Sequence, residues 1–381
     1  MFARKSGQAR GIRARLRGAS VVLAAIGVVI GFAEGPAAAA DNWTAVADPD
    51  SSRWFDAFLA NGGDTVFARS GSYPGGDAGS GEVARYWQRN GTTWTLLPAI
   101  SSQTVETNDD DVWTATSAND FWVVGQTAAA ATVGNHWNGT AWEQRSPTDT
   151  TVRFLDIKAV SANDVWAVGT TRSSSASSLP GTIGHWTGSG WQVTKVTPTT
   201  GSQTELTSVY VKSASDIWAA GETCTAVGGS NCRGYVTHYD GTSWKEVAVP
   251  TGTVGIEEIT AGPSGEVWAA AGTKVLRWTG SAWTGGADVS VSGAYAIREL
   301  TWAGGKLYAG LGLGSANSHS GILRWTGTAW EQVTRVPETT GYYVTNVYEL
   351  SGAPDGTLWA AGSYAQLFAT PTFAATLAPG S

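Results

Sequence analysis

The string SANDVWAVG at Ser161–Gly169 has close copies at Ser117–Gly125 (SANDFWVVG) and Ser213–Gly221 (SASDIWAAG). A chain that repeats one strand-like phrase at a near-constant interval is restricted to an array or ring of equivalent units. Aligning on the aromatic after the acid gives seven anchors: Phe67, Trp122, Trp166, Trp218, Trp268, Tyr308 and Trp359. Their separations are 55, 44, 52, 50, 40 and 51 residues. That interval is the length of a four-stranded propeller blade, about 40–50 residues.

A second phrase follows most anchors: aromatic-x-Gly-x-x-Trp. It reads WNGTAW (Trp137–Trp142), WTGSGW (Trp186–Trp191), YDGTSW (Tyr239–Trp244), WTGSAW (Trp278–Trp283) and WTGTAW (Trp325–Trp330). WQRNGTTW at Trp87–Trp94 is the same phrase with two extra residues. Glycine supplies the positive φ of a tight hairpin. A two-residue turn would set Trp137 opposite Thr140, with both rings on one face; a four-residue loop keeps the same parity. Each repeat then reads as strand, SAND turn, strand, variable loop, and an aromatic hairpin of two strands. The turn acids Asp120, Asp164 and Asp216 are expected to accept local backbone N–H bonds.

The last anchor, Trp359, has no aromatic hairpin after it. The missing outer strand stands at the other end, in NWTAVADP, where Trp43 precedes Pro49 by six residues as Trp244 precedes Pro250. The expected fold class is therefore all-β: a seven-bladed β-propeller of four-stranded antiparallel blades, its N-terminal strand closing the C-terminal blade. Sustained 3.6-residue periodicity is lacking, so helix content should be near zero.

Residues 1–40 read as a secretory signal: six basic residues before Gly18, an apolar run from Val21, and Ala38 and Ala40 at the exit. The domain proper is then 41–381, and the protein is expected to be secreted. Cleavage leaves 18 basic and 30 acidic residues of the original 24 and 31, moving the net charge from −7 to −12. Such a surface repels phosphate backbones, which argues against nucleic acid as a partner. No later apolar stretch suits stable membrane insertion. Cys224 and Cys232 are the only cysteines and, in an exported chain, are expected to form a disulfide.

The repeat resembles the kelch and galactose-oxidase-type propellers, through VWAVG with the later HYDGTSW (His238–Trp244). The resemblance implies the propeller architecture. It carries over no copper site, because His136, His185 and His238 occupy one repeat position in three separate blades.

Standard catalytic and nucleotide motifs are absent, and no cofactor is implied. One first-strand position reads Ala57, Val112, Asp156, Ser208, Glu258, Glu299 and Glu349 around the repeats. Either these are solvated strand entrances, or they point inward as an acidic ring able to hold a Ca²⁺ or a basic group. With Arg153, Tyr295, Arg298, Tyr342 and Tyr343 they form the candidate ligand-binding set. The expected function is an extracellular binding module for a glycan or protein, acting as a monomer through its loops and central funnel. A polysaccharide hydrolase or lyase using funnel carboxylates, and a structural surface protein, are the alternatives.

Overall fold

The computed structural model describes residues 41, 43–47, 49, 54–60, 65–71, 84–100, 111–127, 131–173, 177–285, 288–291, 293–313, 321–333, 343–365 and 372–379. The signal-like segment and Tyr342 lie outside them. The described residues form strands and turns and no helix.

The chain is a seven-bladed β-propeller. Blade 1 holds strands Trp54–Ala60, Thr65–Gly71, Arg85–Asn90 and Thr93–Leu96; blade 2 holds Val112–Ser117, Asp120–Gln126, Thr132–Trp137 and Trp142–Gln144. Blade 3 holds Val152–Ser161, Asp164–Thr171, Gly181–Trp186 and Trp191–Val196; blade 4 holds Gln203–Ser213, Asp216–Ala226, Ser230–Tyr239 and Trp244–Glu246. Blade 5 holds Ile256–Ala261, Val267–Ala271, Lys274–Trp278 and Trp283–Gly285; blade 6 holds Ala294–Ala303, Lys306–Leu313, Ile322–Trp325 and Trp330–Gln332. Blade 7 takes Tyr343–Gly352, Leu358–Ala365 and Thr372–Leu377 from the end of the chain, and Trp43–Ala45 from its start. Trp43 pairs with Leu377 and Ala45 with Ala375, so the ring is closed as the sequence implied.

The aromatic hairpins differ from the two-residue turn in one respect. Trp137 stands directly opposite Trp142, Trp186 opposite Trp191 and Tyr239 opposite Trp244. The loops are thus four residues long, and both rings project from one face. Asn138 shapes its loop by accepting the backbone N–H groups of Thr140 and Ala141 through Oδ1. The glycine of the phrase has φ of +93° at Gly139, +86° at Gly188 and +91° at Gly241, a region open to glycine.

The core lies between the blades. Seven apolar clusters each join two adjacent sheets. Trp122, Trp166, Trp218, Trp268 and Trp359 all sit in these wedges. Sheets stacked face to face need large flat side chains, and indoles supply that area with few rotamers to fix.

A bulge breaks the first strand of six blades, at the step Phe55/Ala57, Phe154/Asp156, Leu206/Ser208, Ile256/Glu258, Ile297/Glu299 or Val347/Glu349. It adds one residue and bends the strand. This explains why the apolar residues of these strands do not alternate simply in sequence.

The first strand of each blade turns one edge away from its own ladder; single bridges meet it at Gly312–Asn346 between blades 6 and 7 and at Leu179–Gln203 between blades 3 and 4, and the rest of that edge needs bonding. Side chains from the preceding blade supply it. Asp156 Oδ2 accepts Val209 N–H at 2.8 Å, and Ser208 Oγ accepts Ile259 N–H at 3.1 Å. Two residues further along, Thr114 accepts Ala159 N–H, Thr301 accepts Gly352 N–H, and Ser351 accepts Ala60 N–H across the seam of the ring. Between blades 1 and 2 the link is ionic: Arg69 bridges Asp56 and Asp111, and Asp111 also accepts the Tyr86 hydroxyl.

Cys224 and Cys232 form the expected disulfide. They are directly opposed on the second and third strands of blade 4, with Cα atoms 4.0 Å apart.

Candidate functional site

The repeated SAND acids do not cap their own turns through backbone N–H groups, as the sequence suggested. They accept the indole N–H of the tryptophan two residues on: Asp120 from Trp122 at 3.0 Å, and Asp164 and Asp216 from Trp166 and Trp218 at 2.9 Å. The same oxygen meets His136, His185 or His238 Nε2 at 2.8 Å. Each histidine in turn lies against the tryptophan ring, closest in blade 3, where the Trp166 and His185 centroids are 3.8 Å apart. Carboxylate, indole and imidazole therefore lock one another in three blades. Each of these three histidines is held within its own blade, and none belongs to a cluster of possible ligand atoms among the described residues.

Burial opposes ionisation of Asp120, but its bonds with His136, Thr116 and Trp122 outweigh that and hold the carboxyl below its ordinary range. Asp216 is lowered in the same way, against burial, by His238, Lys212 and Trp218. A folded-state pKa below the unfolded value of about 3.9 contributes stability above that pH, lost as pH falls through the folded value. The urea midpoint should therefore fall steeply below about pH 4. Replacing both acids with Asn should lower the neutral-pH midpoint and flatten the acid limb, as followed by circular dichroism.

The ring position read from sequence is real in register. Ala57, Val112, Asp156, Ser208, Glu258, Glu299 and Glu349 each pair with the residue two beyond their blade's anchor. Its chemistry differs between blades. Asp156 uses one carboxylate oxygen on Ile157 N–H and the other on the next blade. Glu299 is buried, while Glu258 and Glu349 are half-buried. Among the described residues one trio of possible ligand atoms lies within mutual reach, Glu222, Cys224 and Cys232, and its two sulfurs are joined to each other. The ring acids form no such trio.

Of the other candidates, Arg153 is buried in the first strand of blade 3. The strand of Tyr343 is described, but its side chain is not. Tyr295 and Arg298 come together at the start of the blade 6 first strand. The Arg298 guanidinium lies 5.3 Å from the Tyr295 ring centre and its Nη2 donates to the Tyr295 hydroxyl at 2.6 Å. That hydroxyl donates to Asn346 Oδ1 of blade 7 at 3.0 Å. Tyr348, which occupies the bulge of blade 7 as Arg298 does that of blade 6, is exposed. Tyr295 and Tyr348, at 38% and 39% accessible, are the two exposed aromatics of the described chain. Tyr348 adjoins the ring acid Glu349 in sequence, and the shared bulge position sets it where Arg298 stands in blade 6; Asn346 carries no such signal.

A second concavity, of about 640 Å³, lies away from the axis between the outer hairpins of blades 3 and 4, lined by Trp166, His185, Tyr239 and Trp244. Sequence reading missed it, because the same aromatics occur in every blade.

These features define a closed seven-bladed propeller with an aromatic-cationic cluster near its inner edge. No family model and no curated protein matches the chain. Solved structures share its fold. YCF48 bound to D1 peptide superposes with a TM-score of 0.56 at 14% identity, covering 89% of this chain and 96% of that one. A catalytically inactive virginiamycin B lyase from Staphylococcus aureus, solved with quinupristin, gives 0.59 at 13% identity, covering 88% and 99%. A chain of the mitotic checkpoint complex gives 0.57 at 10% identity, covering 94% and 99%. One fold thus serves peptide binding, lyase chemistry and a multiprotein assembly, and fold alone does not choose among them.

Proposed function

We propose that the protein is a secreted, monomeric, kelch-like binding propeller that recognises an extracellular glycan or protein segment at the inner end of blades 6 and 7. The observation that carries this is the Arg298–Tyr295–Asn346 relay, which fixes two side chains across a blade boundary beside the exposed Tyr348 ring. Rigid tyrosines with a held guanidinium give contact area at small entropy cost, the composition of binding hot spots. The channel-side acids support binding over catalysis: Asp156 is engaged on both oxygens in holding blades together. The basic, apolar and small-residue order of residues 1–40 and the Cys224–Cys232 bond support export. The acidic chain supports partners other than nucleic acid.

The test is a combined glycan and peptide array probed with the cleaved chain. Retention without bond cleavage is expected. Tyr295→Ala with Tyr348→Ala should weaken it by about tenfold or more, each residue contributing about 1 kcal/mol or more, at an unchanged melting temperature. Cleavage of a retained polysaccharide, abolished by Glu258→Gln with Glu299→Gln, would instead establish the enzymatic alternative.

A further inference from the structure

The seven blade interfaces are not filled alike. Three residues beyond the second aromatic of the outer hairpins of blades 1, 2, 4, 6 and 7, the chain places a side chain in the slot facing the next blade; the same position in blade 5 is Gly286, outside the described residues. In blades 1, 4 and 6 this plug is Leu97, Val247 or Val333, each packed in an interface cluster. In blade 7 it is Val46, from the N-terminal strand. All four are set by one bond, the plug N–H donating to the third strand: Leu97 to Tyr86, Val247 to Val236, Val333 to Ile322 and Val46 to Ala374. In blade 2 the plug is Arg145, bonded likewise to Gly134. Its guanidinium lies 5.4 Å from the Trp122 ring and 5.2 Å from Trp186, with Glu143 as its counter-ion.

Blade 3 has Thr194 at this place, opposite Ile183. Threonine is too short to fill the slot, and Thr194 is exposed. The slot is the 640 Å³ groove between blades 3 and 4. Its aromatic walls match those that clasp Arg145: Trp166 and Tyr239 stand 5.9 Å apart, with Trp244 at 5.3 Å from Tyr239. No Lys or Arg among the described residues lies over these three rings. The groove also holds a donor. Trp142 and Trp191 give their indole N–H to Pro98 O and Arg145 O, each at 2.7 Å, whereas the Trp244 N–H, like that of Trp283 in blade 5, has no acceptor among the described residues.

We propose that this groove is a binding site for a neutral saccharide unit. The chemistry of the walls selects the class. A guanidinium from a partner would find Gln192 where blade 2 has Glu143, and would meet Lys195. An aliphatic side chain would desolvate the exposed Gln192, Thr194 and Thr242 without bonding them. A pyranose lays its C–H face on an aromatic ring and presents hydroxyls at its edge, where those side chains and the Trp244 N–H stand. The two charged wall residues are already answered, Lys195 by Asp149 at 3.1 Å and Glu246 by Arg233 at 2.9 Å, so the groove asks for no net charge. The site shares no residue with the blade 6–7 cluster and stands or falls independently of it.

The test is calorimetric titration of the full cleaved chain with neutral hexasaccharides of glucose, xylose, mannose and N-acetylglucosamine, and with hexa-arginine. At least one saccharide should bind. Thr194→Arg, which fills the slot as Arg145 does in blade 2, should weaken it about tenfold or more while the far-ultraviolet circular dichroism stays unchanged. Trp244→Ala should weaken it similarly and gives an independent reading if the arginine variant folds poorly. Failure of every saccharide to bind, saccharide binding indifferent to both variants, or hexa-arginine binding that Thr194→Arg abolishes would each overturn the assignment.

Discussion

A chain lacking residues 41–47 is expected to lose on the order of 3–5 kcal/mol of stability, from the burial of one tryptophan and one valine and the pairing they carry. These residues supply the outer strand of blade 7. Trp43 packs in the cluster between blades 6 and 7, and Val46 plugs the slot between blades 7 and 1. Asp41 also pairs with Arg324 of blade 6 at 3.2 Å. Without them the Thr372–Leu377 strand becomes a free edge, able to pair with another chain. The loss compares with a total stability of about 5–15 kcal/mol for a typical domain, so a melting temperature lowered by many degrees should accompany light scattering from association. An unchanged unfolding midpoint and a monodisperse solution would show that the seam is held elsewhere, for instance by the Ser351–Ala60 bond.

Trp122→Ala is expected to cost about 3–5 kcal/mol, the range for emptying a buried tryptophan site. Its ring is 0% accessible. It touches His136, Arg145, Trp186 and Trp191, and its N–H is bonded to Asp120. Removing it leaves the Asp120–His136 pair without its third member and Arg145 without one ring of its clasp, so cavity and electrostatic costs add. Trp244→Ala, in the unplugged groove, should cost distinctly less. Denaturant unfolding of the two variants side by side measures the difference. Equal losses would mean that the interface between blades 3 and 4 is as tightly filled as that between blades 2 and 3.

Much of the architecture is legible from local rules. Strand alternation, turn glycines and the spacing of the anchors act within one repeat, and each repeat restates them. The absence of an aromatic hairpin after Trp359 and its presence as a half-phrase at Trp43 together specify the seam. The candidate cluster was legible in part: Tyr295 and Arg298 were read as conspicuous residues, and the structure brings them together. Asn346, 51 positions from Tyr295, completes the relay and has no local signature.

The SAND motif shows where local reading stops. Asp120 and His136 are 16 residues apart, and nothing in either phrase states that they meet. They meet because antiparallel pairing sets His136 beside Trp122, and the acid two residues before Trp122 then lies within reach of both. The acids of the first strands look alike in sequence and follow the same bulge, and only the structure shows Asp156 bonded to the backbone of the neighbouring blade.

Local rules along the chain set the repeat: seven blades, their strand order and the pairing of the two ends, because hydrogen-bond ladders and turn geometry follow from residue types a few positions apart. The tertiary structure alone decided how adjacent blades are joined and which slot is left unfilled. Those properties depend on side chains from different repeats meeting across a sheet-to-sheet gap, where Thr194 in place of the bulkier plugs of blades 1, 2, 4, 6 and 7 changes packing without disturbing the pattern along the chain.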